Sequence, residues 1–278
     1  MIKSKKLNIH KNSDVTYFTF PSFDQYAFIK HGFSTRLGGV SEGIYASMNL
    51  SFTVGDKKEN VLENYRRFCN ALGIDYKNLV LSSQTHGNAV RVVTKEDMGK
   101  GITKVRDYDH IDGLITNEPN LALVTHYADC VPLFFLDPEK KVVGVAHAGW
   151  KGTVGKIGEK MIDRFKDHYG SNPEDILVGI GPSIGVCCYE VSGDVIEQFK
   201  KLGPEDKKWW IDKRNDKYQI DLWGLNRTIL ERRGVKTNNI TVTDICTRCN
   251  KEYLFSHRGH LGKRGGLAAV IQLNEILT

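Results

Sequence analysis

Val142-Val143-Gly144-Val145-Ala146-His147-Ala148-Gly149-Trp150-Lys151-Gly152 decides how this chain reads. A run of apolar, mostly β-branched residues reaches a histidine, and a glycine-rich turn follows. Val154, Ile157, Met161, Ile162 and Phe165 then recur at helical spacing. The pattern is strand, loop, helix, with an imidazole at the strand end. Side chains at such edges are held by the sheet yet open to the loop side, where chemistry concentrates.

Two other segments share this look. Ser82-Ser83-Gln84-Thr85-His86-Gly87 and Tyr127-Ala128-Asp129-Cys130-Val131-Pro132 each carry a metal-ligating residue at the junction of an apolar run and a turn. Strand-like runs lie at 26–35, 79–82, 89–94, 112–116, 121–126, 131–136, 141–147, 175–180, 240–244 and 267–273. Asp137-Pro138-Glu139-Lys140 reads as a turn between two of them. Val61, Leu62, Tyr65, Phe68, Cys69 and Leu72 predict a helix stopped by Gly73, and Asp221 an N-cap for Leu222, Leu225 and Ile229. Residues 1–25 read as a lead-in segment. Many strands joined by short turns favour an α+β fold, one layered mixed β-sheet domain spanning 1–278, over a parallel doubly wound sheet.

With 278 residues and 40% hydrophobic composition, the chain can bury a substantial core. Its formal charge of +6 is spread without long basic runs, which predicts no nucleic-acid partner. The first residues carry lysines but no apolar h-region, and no stretch reaches the roughly 18 apolar residues of a membrane span. A soluble, cytoplasmic protein with no membrane partner is expected, its six cysteines reduced.

Several motif-like stretches fail on spacing. Gly179-Ile180-Gly181-Pro182-Ser183-Ile184-Gly185 places its third glycine one residue late for a dinucleotide fingerprint, and Gly152-Thr153-Val154-Gly155-Lys156 is not a phosphate loop. Cys246-Thr247-Arg248-Cys249 is one CxxC without a second pair. Cys187 and Cys188, being adjacent, are not expected to chelate one ion easily.

His86, Cys130 and His147 can form a three-ligand site with an open fourth position, the catalytic rather than structural arrangement for zinc. A Cys130–His147 nucleophile pair is the rival reading. A buried thiol near two core imidazoles is the plain one.

The ordered motifs Ser34-Thr35-Arg36-Leu37-Gly38-Gly39-Val40-Ser41, Met48-Asn49-Leu50, Ser83-Gln84-Thr85-His86-Gly87, Asp112-Gly113-Leu114, Ala128-Asp129-Cys130-Val131-Pro132, Ala146-His147-Ala148-Gly149-Trp150-Lys151-Gly152, Gly181-Pro182-Ser183-Ile184-Gly185 and Phe255-Ser256-His257-Arg258 resemble the YfiH/YlmD family of laccase-domain proteins, with a close likeness to its bacterial YlmD-like branch. That family is also called the multicopper polyphenol oxidoreductase or purine nucleoside phosphorylase family. The resemblance implies an αββα-type sandwich and zinc held by His86, Cys130 and His147. It also implies phosphorolysis of adenosine, inosine, guanosine and methylthioadenosine, and deamination of adenosine. Purine nucleosides and phosphate are then the small-molecule partners.

Arg36, Lys151 and Arg258 are cationic candidates for phosphate, and Asn49, Gln84 and Asp129 candidates for polar substrate contacts. His260-Leu261-Gly262-Lys263-Arg264 departs from the expected Asp-x-x-Thr-Gly-Arg-like loop. Multicopper oxidation calls for His-x-His pairs, which the chain lacks, although copper can enter a His2Cys site. A Cys–His amidase acting on cell-wall precursors, a copper-dependent polyphenol oxidase and a non-catalytic zinc-stabilised binding protein are the alternatives.

Overall fold

Alternation of large apolar side chains along the middle of the chain builds two sheets packed face to face, in a computed structural model that describes residues 2–275. Met1 and residues 276–278, which the sequence reading includes in its one domain, lie outside the described residues. The first part of the chain runs β1 (Asn8–Asn12), β2 (Val15–Thr19), α1 (Pro21–Asp24), β3 (Ile29–Ser34), α2 (Lys58–Leu72), β4 (Leu79–Leu81) and β5 (Val90–Val92). The middle adds β6 (Gly113–Thr116), β7 (Ala122–Tyr127), β8 (Val131–Asp137), β9 (Val142–Ala148), α3 (Trp150–Val154) and α4 (Ile157–Tyr169). The rest holds β10 (Leu177–Ile180), β11 (Glu190–Ser192), α5 (Gly193–Lys200), β12 (Trp210–Asp212), β13 (Lys217–Ile220), α6 (Leu222–Arg232), β14 (Ile240–Val242) and β15 (Leu267–Leu273).

One six-stranded sheet has the order β1-β2-β3-β15-β7-β4, the other β14-β10-β8-β9-β6-β5, and both mix parallel and antiparallel pairs. The period of two sorts their side chains. Phe134 and Leu136 of β8 and Val143 and Val145 of β9 meet Phe33, Leu123, Ala269 and Ile271 of the other sheet. Leu133, Phe135 and Ala146 face the other way, onto Met161, Ile162 and Phe165 of α4 and Leu225 and Ile229 of α6. Val124, Ala268 and Val270 turn outward against Val61, Tyr65 and Phe68 of α2. The layers are therefore helix, sheet, sheet, helix.

Gly73 caps α2 in the left-handed region at φ 67°, and the Asp221 carboxylate accepts from the backbone N–H of Trp223 and Gly224, each at 3.1 Å. Two sequence expectations change. Residues 1–25 are not a lead-in: β1 and β2 form a hairpin on the edge of the first sheet, and Phe18, Phe20 and Phe23 are buried in the inter-sheet core. The helix expected after His147 is broken in two at Lys156, whose φ is 55°. The register of β9 decides where His147 goes. It shares parity with Val143 and Val145, so its ring lies at the end of the inter-sheet layer rather than under the helices.

Candidate metal centre and its cleft

The ends of β7 and β9 and the loop after β4 meet at one rim of the inter-sheet layer. There the ligand atoms of His86, Cys130 and His147 all lie within 4.8 Å of one another. The His86 and His147 rings sit edge to face, with centroids 4.9 Å apart. His147 is buried, Cys130 half-buried and His86 exposed, so the trio opens to solvent on the His86 side.

Asp112 organises two of the three. Its Oδ1 lies 2.8 Å from His147 Nδ1, which leaves Nε2 as the free nitrogen of that ring. The same carboxylate accepts from the backbone N–H of Thr85, His86 and Gly87 at 3.0, 3.1 and 2.9 Å. His86 is held in the left-handed region at φ 63°, a conformation a non-glycine residue adopts only when its surroundings enforce it. Asp129, at φ 92°, is tied in the same way: its carboxylate accepts from Thr247 Oγ1 at 2.6 Å and from the Arg258 backbone at 2.7 Å. The turn that presents Cys130 is thus braced by two later loops.

Burial pushes the Cys130 thiol up, but the charge of His147 and hydrogen bonds from both imidazoles outweigh it and bring it down to about 6. Burial pulls His147 down, and the Cys130 thiolate and the Asp112 carboxylate raise it to about 9. Thiolate and imidazolium charges favour each other in this pair, and a bound cation would displace the proton from His147 Nε2 and take that nitrogen and the sulfur as donors. Two imidazoles and a thiolate suit zinc, with three protein ligands leaving one position open. A Cβ at Gly149 would stand 3.1 Å from His86 Cδ2 and 3.2 Å from Cys130 Sγ, so glycine keeps the space before the three donors clear. The residues fit the ion.

The trio divides a groove into two lobes. One, of about 760 Å³, is walled by His147, Gln84, His126, Arg106, Lys104, Lys58 and Arg264. The other, of about 560 Å³, is walled by Trp150, Ile184, Tyr189, Val191, Asp129, His257, Arg258 and Arg264. The first is rich in cations and the second in aromatic and apolar surface. Arg264 borders both, and burial lowers its guanidinium pKa.

The residues singled out from sequence separate accordingly. His86, Cys130, His147, Gln84, Asp129 and Arg258 line the groove, whereas Arg36, Asn49 and Lys151 do not line either lobe. Arg36 donates to Ala46 O at 2.8 Å and Lys251 O at 3.1 Å and stacks on Phe255, which is packing. Asn49 donates to Ser51 O and Asp56 and accepts from Ser51 and Gly266, which uses its amide fully. Gln84 spends its amide on the His126 backbone and Ser82. Asp112 and Arg264 had no role assigned from sequence. Asp112-Gly113 at a strand start was visible as a motif but gave no sign of the carboxylate's target, and Arg264 stood in a loop that departs from pattern.

The family described as multi-copper polyphenol oxidoreductase laccase matches residues 30–274. The chain belongs to this laccase-domain family. It is 40% identical over 248 residues to "Purine nucleoside phosphorylase YlmD" of Bacillus subtilis, covering 88% of each chain. It is 37% identical to the protein of that name in Geobacillus stearothermophilus, covering 88% of this chain and 90% of that one. The crystal structure of the Bacillus licheniformis hypothetical protein YfiH superposes with a TM-score of 0.90 at 34% identity, covering 96% of this chain and 99% of that one. The mixed sheets of this laccase-domain chain match those of its structural relatives, and none of its helices, among the described residues, is long and apolar enough to cross a membrane.

Proposed function

We propose that this protein is a zinc-dependent purine nucleoside phosphorylase of the cytoplasm. It cleaves the glycosidic bond of adenosine, inosine, guanosine and methylthioadenosine with phosphate, and it also deaminates adenosine. The observation that carries the reading is the His86–Cys130–His147 trio standing where a cationic lobe meets an aromatic one. A nucleoside and an anion need those two environments on either side of the bond that breaks. Zinc held by the three side chains supplies a Lewis acid and stabilises developing negative charge. Trp150 and Tyr189 offer flat apolar surface for the base, and Arg264, between the lobes, draws phosphate toward the sugar. Asp112 keeps His147 in one tautomer, as carboxylates do for metal-bound imidazoles. Relatives named purine nucleoside phosphorylase support the activity.

The experiment is the rate of base release from inosine with phosphate, together with metal content, for wild type and Cys130→Ala. Loss of both rate and one zinc, with the fold intact by circular dichroism, is expected. A Cys130→Ala protein phosphorolysing inosine at the wild-type rate sinks the proposal.

A second reading rests on one specific observation, the chain of contacts Cys130–His147–Asp112, which has the geometry of a thiol nucleophile, a base and an orienting carboxylate. An amidase of that kind keeps its rate in chelator and loses it to a thiol alkylator, the opposite of the metal enzyme.

A further inference from the structure

A second group of sulfurs lies outside this centre. Cys187 and Cys188 sit in the loop after β10, and Cys246 and Cys249 in the loop after β14. Those two strands are parallel neighbours, so both loops leave the sheet at the same end. A bridge between Ser183 and Cys246 prolongs the ladder, and Thr247 N donates to Ser183 O at 3.0 Å. The four Sγ atoms all lie within 4.8 Å of one another. Cys249 Sγ is 3.6 Å from Cys187 Sγ and 3.5 Å from Cys188 Sγ.

These spacings select among the fates of clustered thiols. A disulfide brings its sulfurs to about 2.05 Å. Four sulfurs at about 2.3 Å from one zinc form a tetrahedron with edges of about 3.8 Å. Clusters of several irons hold their sulfurs farther apart than one ion does. The adjacent pair, not expected to share an ion, does place both sulfurs in one group, because a turn closes there: Cys188 N and Tyr189 N both donate to Gly185 O, at 2.9 and 3.0 Å. Gly185 N points at Cys246 Sγ at 3.3 Å, the kind of N–H contact that steadies a metal-bound thiolate.

We infer that Cys187, Cys188, Cys246 and Cys249 form a second metal site, a four-thiolate centre for a single divalent ion of the zinc class. All four tetrahedral positions are filled by protein, so the site is structural and not catalytic. Its consequence reaches the cleft through Thr247, which lies between two of the ligands and donates to Asp129, the residue before Cys130. The ion staples two loops and thereby steadies the turn that presents Cys130.

The test is metal loading of the full chain purified under reductant. Wild type is expected to hold about two zinc ions per chain, and Cys130→Ala and Cys249→Ser about one each. Co²⁺-loaded Cys130→Ala is expected to show intense sulfur-to-metal charge-transfer bands and tetrahedral d–d bands, which needs no change at the four cysteines and so decides the matter even if Cys249→Ser fails to fold. Co²⁺-loaded Cys130→Ala without those bands, or a reduced wild type whose metal vanishes entirely in Cys130→Ala, overturns the inference and leaves the proposed phosphorylase reading standing. Metal confined to the four cysteines would instead overturn the phosphorylase reading alone.

Discussion

Two buried histidines teach opposite lessons. His147 and His31 are 3% and 5% exposed, and aromatic rings flank both. Burial alone lowers an imidazole, and at His31 it wins. The ring packs against Phe20, Phe23 and Phe134, its Nε2 accepts the Phe20 N–H at 2.8 Å, and it is held at about 4 although Asp24 stands 3.9 Å away. At His147 a carboxylate at 2.8 Å and a thiol outweigh the same burial. What separates these two histidines is the partner on the second nitrogen. His31 spends Nε2 on the backbone N–H of Phe20, whereas His147 is anchored through Nδ1 and keeps Nε2 for the cleft.

The largest expected effect tests that contrast directly. His147→Ala should lower kcat/KM for inosine phosphorolysis on the order of 10³-fold and remove one bound zinc, with little loss of stability. His31→Ala should do the reverse. It should keep kcat and zinc but lose about 3 kcal/mol of stability, since it opens a cavity and orphans the Phe20 N–H. Urea unfolding and steady-state rates on the same preparations check both. A His31→Ala protein that loses zinc would erase the distinction.

The next effect concerns pH. The folded-state pKa of His31 is lowered from 6.5 to about 4, with burial as the first cause, so the unfolded chain binds its proton more tightly. Its contribution is complete above pH 6.5 and is lost progressively as pH falls toward 4. The loss amounts to about 3 kcal/mol. His31→Gln keeps an acceptor for Phe20 but cannot titrate. Its unfolding free energy should fall less steeply than that of wild type over that window. Parallel curves would mean that the ring is protonated in the fold.

What could be read from the sequence follows from where the signal is stored. β8, β9 and β15 are long apolar runs, and their strands fall within a residue of the expected ranges because a buried strand has few alternatives. Cys130 and His147 were legible because each stands where such a run begins or ends, and His86 because it adjoins a glycine in the turn after a shorter one. The hairpin β1–β2 was not, since β1 is Asn-Ile-His-Lys-Asn, an exposed edge strand held by β2, which in turn pairs with β3, and not by a pattern of its own. The short sheet of β11, β13 and β12 was missed for the same reason. The four-sulfur group was hidden because its halves lie about sixty residues apart and only the parallel pairing of β10 and β14 joins them. Arg36 and Asn49 stood out as motif residues. Nothing in one dimension separates a side chain that lines a cleft from one that holds its wall.

Asp112 gives the finest test of the comparison, because it is the group that His31 lacks at hydrogen-bond distance. Its two oxygens receive four donors: the N–H groups of Thr85, His86 and Gly87, and His147 Nδ1. Asp112→Asn removes the charge and replaces one acceptor oxygen by an N–H₂ that meets donors. Either the 85–87 turn or His147 must then lose its partner. Since Asp112 does not itself reach the cleft, the fall should be moderate, about 10- to 100-fold in zinc affinity or kcat, with KM for inosine little changed. Zinc competition with a chelator and a kcat-against-KM comparison measure it. Full activity restored by excess zinc would place the effect in metal retention. A kcat defect that persists at saturating zinc would place it in the orientation of His147. An Asp112→Asn enzyme with wild-type zinc affinity and kcat would show that burial and the thiol suffice to make His147 unlike His31, and would remove the carboxylate from the account.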